Sequence, residues 1–133
     1  ENDNNEIRIE NDSTTTNRVE LCAIEGTKIC IGEDCMISSD IYMSTGDGHS
    51  VCDKNGNRTN ASKDIRIGNH VWVGTRVILG KGFEVGDNSI IAAGSVCYSK
   101  SCNREENIII GGNPARIVKR ENNWLRNRIG RNE

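Results

Sequence analysis

The sequence predicts an all-β chain wound as a parallel β-helix, and three observations carry that prediction. From Ile67 to Val96 an aliphatic side chain falls at every sixth position, at Ile67, Val73, Leu79, Val85 and Ile91, and Cys97 continues the series. Gly68, Gly74, Gly80 and Gly86 follow the first four, and Ala92 follows the fifth. A second column, four residues into each hexad, runs through Val71, Val77, Phe83, Ser89 and Ser95, mostly apolar or small. The three-and-four spacing of an amphipathic helix does not fit this period, and neither does the alternation of an isolated strand. Six-residue repeats wound three to a coil do fit it. Ile67 then stacks with Val85, Val73 with Ile91 and Leu79 with Cys97 in a dry interior. A glycine after each apolar residue suits a corner where another main chain comes close.

The 133 residues make one domain, 1–133. A repeat of this kind covers its neighbours but leaves the ends of the prism needing caps. Two Trp, two Tyr and one Phe are too few for an aromatic core, so the interior is built from Val, Ile, Leu, Cys and Ala. The net charge of -2 is unevenly spread: residues 1–20 are acidic, and residues 116–133 are basic. The basic end argues for an anionic ligand there, but no basic stripe covers a whole face as nucleic-acid binding would require. None of the six cysteines forms a CxxC pair, and Cys35 and Cys97 take interior or near-interior positions as small hydrophobes. They read as reduced thiols of a cytoplasmic protein without a metal site. No apolar run approaches a membrane span and no targeting segment opens the chain. The opening ENDNNEIRIE already lies inside a polar strand-like pattern, as in a chain lacking an N-terminal portion.

In order, residues 1–19 form an irregular first coil in which only Ile7 and Ile9 alternate inward. The six-residue beat returns with Ile31, Ile37 and Met43, while Ala23, Ile29, Cys35 and Ile41 fit the second column. Glu25 stands where an apolar residue is expected, which marks either a coil boundary or a slip of register. The beat stops over residues 44–64, STGDGHSVCDKNGNRTNASKD, a long polar loop with three glycines and with Val51 and Cys52 as its only expected tucked-in residues. Loops that leave a rigid scaffold are where chemistry is usually carried, and this one holds His49 in a glycine-flanked turn. After Cys97 come a turn with Lys100 and Asn103, a last strand at Ile108 to Ile110, and a turn at Gly111-Gly112-Asn113-Pro114. Ala115 to Arg128 is expected to be a short C-terminal helix with Pro114 at its start. Residues 108–133 then cap the prism.

Four segments, GDGHS at 46–50, IGNHVWVG at 67–74, IIAAGSV at 90–96 and GGNPAR at 111–116, carry a resemblance to a known family. The chain resembles the left-handed β-helix acyltransferases with hexapeptide repeats, in particular the galactoside and maltose acetyltransferases and the polysaccharide or lipopolysaccharide O-acetyltransferases. The left hand comes from this resemblance alone, since periodicity does not show hand. The resemblance implies transfer of an acetyl group from acetyl-coenzyme A to a saccharide hydroxyl, without a metal, in a homotrimer with sites between subunits. His49 matches the catalytic histidine, and an imidazole with a pKa near about 6.5 suits a general base that activates a hydroxyl. Asp47 and Asp53 are placed to orient His49 or to bind sugar hydroxyls, and Asn60 resembles the loop asparagine that family members use at the acceptor. Trp72 lies along the pantetheine arm or closes the acceptor pocket. Gly74, Thr75, Ala92 and Ala93 offer main-chain groups to that arm, and Ser99, Lys100, Arg116 and Lys119 match the phosphate end of coenzyme A. An amino sugar or serine is the alternative acceptor. A structural protein of the carbonic-anhydrase-like kind would need three histidine ligands, where this chain has two histidines.

Overall fold

The computed structural model describes residues 4–130, so the first and last three residues of the expected first coil and cap lie outside the described residues. Strands form three sheets, parallel throughout except for the last strand, that are the faces of a triangular prism. Face A holds β1 (Glu6–Ile9), β4 (Lys28–Ile31), β7 (Ile65–Ile67) and β10 (Glu84–Val85). Face B holds β2 (Thr14–Thr15), β5 (Met36–Ile37), β8 (Trp72–Val73), β11 (Ile90–Ile91), β13 (Ile109–Gly112) and β14 (Ala115–Lys119). Face C holds β3 (Val19–Cys22), β6 (Ile41–Ser44), β9 (Ile78–Leu79) and β12 (Val96–Cys97). The chain visits A, B and C in turn, so each coil hydrogen-bonds to the next along its whole length.

All three expected stacking pairs are present: Ile67 opposite Val85, Val73 opposite Ile91 and Leu79 opposite Cys97. Both columns are buried, Phe83 of the second column completely. The register also survives the long loop, since Ile31, Ile37 and Met43 pair with Ile67, Val73 and Leu79. Close stacking explains the glycine after each interior residue. A Cβ on Gly74 would lie 2.6 Å from the Ala93 nitrogen, a distance no side chain can take.

The edge between faces A and B turns through a left-handed residue in every coil: Asp12, Asp34, His70, Asn88 and Asn107, with φ between 54° and 64°. Asp and Asn tolerate that region better than most residues. Glu25, at φ 57°, turns the edge between faces C and A and so marks a coil boundary.

Three expectations need correction. The first coil is regular, because pairing of β1, β2 and β3 with the coil above imposes strand geometry on polar side chains. Ile7 and Ile9 do align with Ile29 and Ile31 there, but they stay half exposed because no described coil covers them. Val51 and Cys52 are exposed rather than tucked in. The C-terminal helix does not exist, and no helix occurs among the described residues. Residues 115–119 instead pair antiparallel with β13 as β14, turning at Asn113-Pro114, so the β-branched Ile117 and Val118 extend an otherwise open sheet edge. Beyond it the chain runs down the A–B edge, from Asn122 on Asn107 to Arg126 on Asp34. Those contacts span three coils, about 14 Å at about 4.8 Å per layer. A helix rises only about 6 Å over four residues and could not reach.

Candidate active site

His49 sits on the loop that leaves the prism after β6 at the C–A edge. The loop is pinched at its base, where the Lys63 N–H donates to the Thr45 carbonyl at 2.9 Å, and its outer half is a small hairpin bridged at Cys52 and Arg58. Asn60 organises the inner half. It is buried, and both ends of its amide are used: Oδ1 accepts from the Val51 N–H at 2.8 Å and Arg58 Nε at 3.1 Å. Its Nδ2 donates to Asp47 Oδ2 and to the His49 carbonyl, each at 2.8 Å. The main chain of His49 is therefore fixed, while its imidazole is exposed and makes no hydrogen bond among the described residues.

The expected acceptor-side residues have distinct placements. The Asp47 carboxylate, held below its usual range by the Lys81 ammonium and then by Asn60, bonds the same Asn60 amide that holds the His49 carbonyl. The Asp53 carboxylate takes the Asn57 and Asn55 N–H groups at 3.0 and 2.8 Å, which depresses its pKa and commits it to the loop tip. Sequence reasoning missed Lys81 and Arg58. Arg58 grips Glu25 at 2.8 Å, and that bond, followed by one from Ser62, holds the Glu25 carboxyl down to about 2. A glutamate in an apolar register position was the available signal: Glu25 is the anchor of the loop on the scaffold.

On the opposite side of face C, a groove of about 390 Å³ follows face B to the B–C edge. It is lined by Trp72, Gly74, Thr75, Ala92 and Ala93, five residues expected there, and by Ser38, Ile90 and Ile91, which were not. Ser38 and Ile90 carry no sequence signal beyond their place in the repeat. The phosphate-end candidates are dispersed. Ser99 lies beside Gly82, and with Lys100 it stands on the C–A edge, the side of the loop. Arg116, at the start of β14, lays its guanidinium 5.1 Å from the Tyr98 ring centre. Lys119 ends β14 near the A–B edge.

His70, the other histidine, is occupied. Its Nδ1 lies 2.8 Å from Asp34 Oδ2 and its Nε2 2.8 Å from the Trp124 carbonyl, with the Trp124 ring stacked on it at 3.9 Å. Nothing in the sequence joined residues 70 and 124. Among the described residues no cluster of three metal-ligating side chains occurs, and no helix is long and apolar enough to cross a membrane.

The family described as bacterial transferase hexapeptide (six repeats) matches residues 64–99, the stretch in which both columns are unbroken. Galactoside O-acetyltransferase of Escherichia coli (strain K12) is 32% identical over 105 residues, covering 77% of this chain and 49% of that protein. Polysialic acid O-acetyltransferase of Neisseria meningitidis is 41% identical over 70 residues, covering 52% of this chain and 33% of that protein. The crystal structure of the polySia-specific acetyltransferase NeuO superposes with a TM-score of 0.73 at 32% identity, covering 94% of this chain and 66% of that one. The chain thus spans half the length, or less, of these two curated relatives. Fold and repeat together define a left-handed parallel β-helix of the transferase kind. The chain belongs to the hexapeptide-repeat acyltransferase family, related to the galactoside and polysialic acid O-acetyltransferases.

Proposed function

We propose that the protein transfers an acetyl group from acetyl-coenzyme A to a hydroxyl of a saccharide or surface-polysaccharide precursor, with His49 as general base. One observation carries the reading: a fixed loop main chain presents a free imidazole on one edge of the prism, and a groove walled by small residues and one indole lies on another. The three relatives support the reaction class, since all are named as acetyltransferases that act on sugars or their polymers.

In this mechanism the His49 imidazole takes the proton of the acceptor hydroxyl as its oxygen attacks the thioester carbon. The tetrahedral intermediate collapses with cleavage of the carbon–sulfur bond. The imidazolium then returns the proton to the departing thiolate, so direct transfer needs no acyl-enzyme. The groove suits the pantetheine arm because Gly74, Ala92 and Ala93 let a chain lie against the main chain, while Trp72 forms a flat apolar wall. Arg116 and Lys119 meet the electrostatic requirement of a phosphorylated nucleotide end.

Loop and groove are separated by face C, about 20 Å for a six-residue side at about 3.3 Å per residue. One copy therefore does not bring them together. Outward-facing Tyr42, Ile78 and Val96 stack in one column on face C, an apolar strip between the two edges. We read the active unit as a homotrimer in which His49 of one copy faces the groove of the next, and Ser99 and Lys100 reach the cofactor across that boundary. A cytoplasmic location suits the donor and the six free cysteines.

A thiol-release assay with acetyl-coenzyme A against hexoses, amino sugars, nucleotide sugars, sialic acid oligomers and serine tests the reading. Turnover with a carbohydrate hydroxyl is expected. His49→Ala should lower it by roughly 10²- to 10⁴-fold and leave coenzyme A binding intact. An active His49→Ala enzyme overturns the base. Turnover confined to an amine or to serine keeps the mechanism and replaces the acceptor.

A further inference from the structure

The tail after β14 holds the A–B edge at successive coils. The Asn122 N–H donates to the Asn107 carbonyl at 2.8 Å, and Trp124 Nε1 donates to the His70 carbonyl at 2.8 Å. Arg126 donates to Asp34 at 2.9 Å, to Thr14 Oγ1 at 3.0 Å and to the Cys35 carbonyl at 3.0 Å. Trp124 is the centre of this strap. Its ring lies parallel to His70, its indole N–H and its carbonyl both engage that residue, and only 6% of it is exposed. The two ring nitrogens of His70 face a carboxylate and a carbonyl, so the ring is held from both sides.

Strapping alone would not require an aromatic side chain at the groove, but Trp124 touches one of its walls. Its ring centre is 6.1 Å from that of Trp72 at an interplanar angle of 51°, within the tilted geometry aromatic pairs favour. Trp72 stands outward on face B between Met36 and Ile90, its paired neighbours in the coils on either side. Those neighbours bound it along the stack, and Trp124 bounds it from the A–B side. We infer that Trp124 is a positioning residue for the donor groove: clasped by His70 and Arg126, it backs Trp72 and fixes how that indole faces the groove. The inference rests on the reading of the groove as the acyl-donor site.

Calorimetry with coenzyme A on wild type and variants tests it. Trp124→Ala should weaken coenzyme A about threefold to tenfold, the range of one lost aromatic contact, while Trp124→Phe, which keeps a ring on both His70 and Trp72, should stay within about twofold of wild type. The chain has two tryptophans, so Trp124→Phe also leaves Trp72 as the sole indole, whose emission should respond to coenzyme A. A Trp124→Ala protein that melts lower yet binds coenzyme A as wild type does overturns the proposal, because the strap then only stabilises. If Trp124→Ala does not fold, Trp124→Leu keeps apolar bulk over His70 without an aromatic edge for Trp72: weakened binding supports the proposal and wild-type binding overturns it. A wild-type protein that does not bind coenzyme A fails the donor reading first, before any variant is compared.

Discussion

Asn60 shows how a single buried amide organises the loop that carries His49. Its hydrogen bonds tie Val51, Arg58, Asp47 and the His49 carbonyl to one point, and with its side chain buried none of it is presented to a sugar. The resemblance implies an acceptor-side role for Asn60, and in the structure its amide holds the His49 carbonyl and Asp47. Asn60→Ala would remove the bonds to the Val51 N–H, the Asp47 carboxylate and the His49 carbonyl, leaving Asp47 to Lys81 alone. Because Asp47, His49 and Val51 are exposed and water can replace the lost bonds, the change should cost about 0.5–1.5 kcal/mol of stability, the net worth of an ordinary hydrogen bond, and lower turnover while leaving coenzyme A affinity unchanged. Thermal melts and calorimetry on the one variant separate these effects. A loss of coenzyme A affinity equal to the loss of turnover would show that the loop and groove are coupled through more than His49.

At the scale of elements, the regular coils were legible and the edges were not. A period of six dictates which side chains point inward, so Ile67, Val73 and Leu79 could be assigned to columns and paired before any coordinates. Leu79→Ala should accordingly cost about 2–5 kcal/mol in urea melts, as for a fully buried aliphatic truncated to leave a cavity. The loop could be located because the period stopped there, but its internal bonds join residues such as Glu25 and Arg58, whose proximity depends on how successive coils stack. The tail was misread for a similar reason. Ile117, Val118, Trp124 and Leu125 permit a helix locally, yet the open edge of β13 and the partners along the A–B edge require extended chain. The strap also has a pH signature. His70 first, then Arg126, hold the Asp34 carboxyl below its usual range. A depressed carboxylate contributes fully above its unfolded pKa and loses that contribution as pH falls through its folded value. Tryptophan emission should therefore change below about pH 4 as the strap releases, and Asp34→Asn should show the released emission at neutral pH. Identical acid titrations for both proteins would remove Asp34 from the clasp.

At the scale of the whole molecule, the proposed division of base and donor groove between two edges of the prism makes a prediction that no single-chain site shares. In a closed ring of identical copies each interface joins two different surfaces, here the loop edge of one copy and the groove edge of the next. His49→Ala destroys the first and leaves the second, whereas Ala93→Trp fills the groove and leaves the loop. Each variant alone should be inactive. When the two are unfolded together and refolded in equal amounts, some interfaces combine the intact loop of an Ala93→Trp chain with the intact groove of a His49→Ala chain. Random assortment makes these about a quarter of all interfaces, so the mixture should recover about that fraction of wild-type turnover, and sedimentation should give a trimer. Ile78→Glu, which buries a charge in the apolar column of face C, should lower the recovery and the assembly together. A refolded mixture that sediments as a trimer and stays inactive would place base and groove within one copy, and would require the loop to cross face C to reach Trp72.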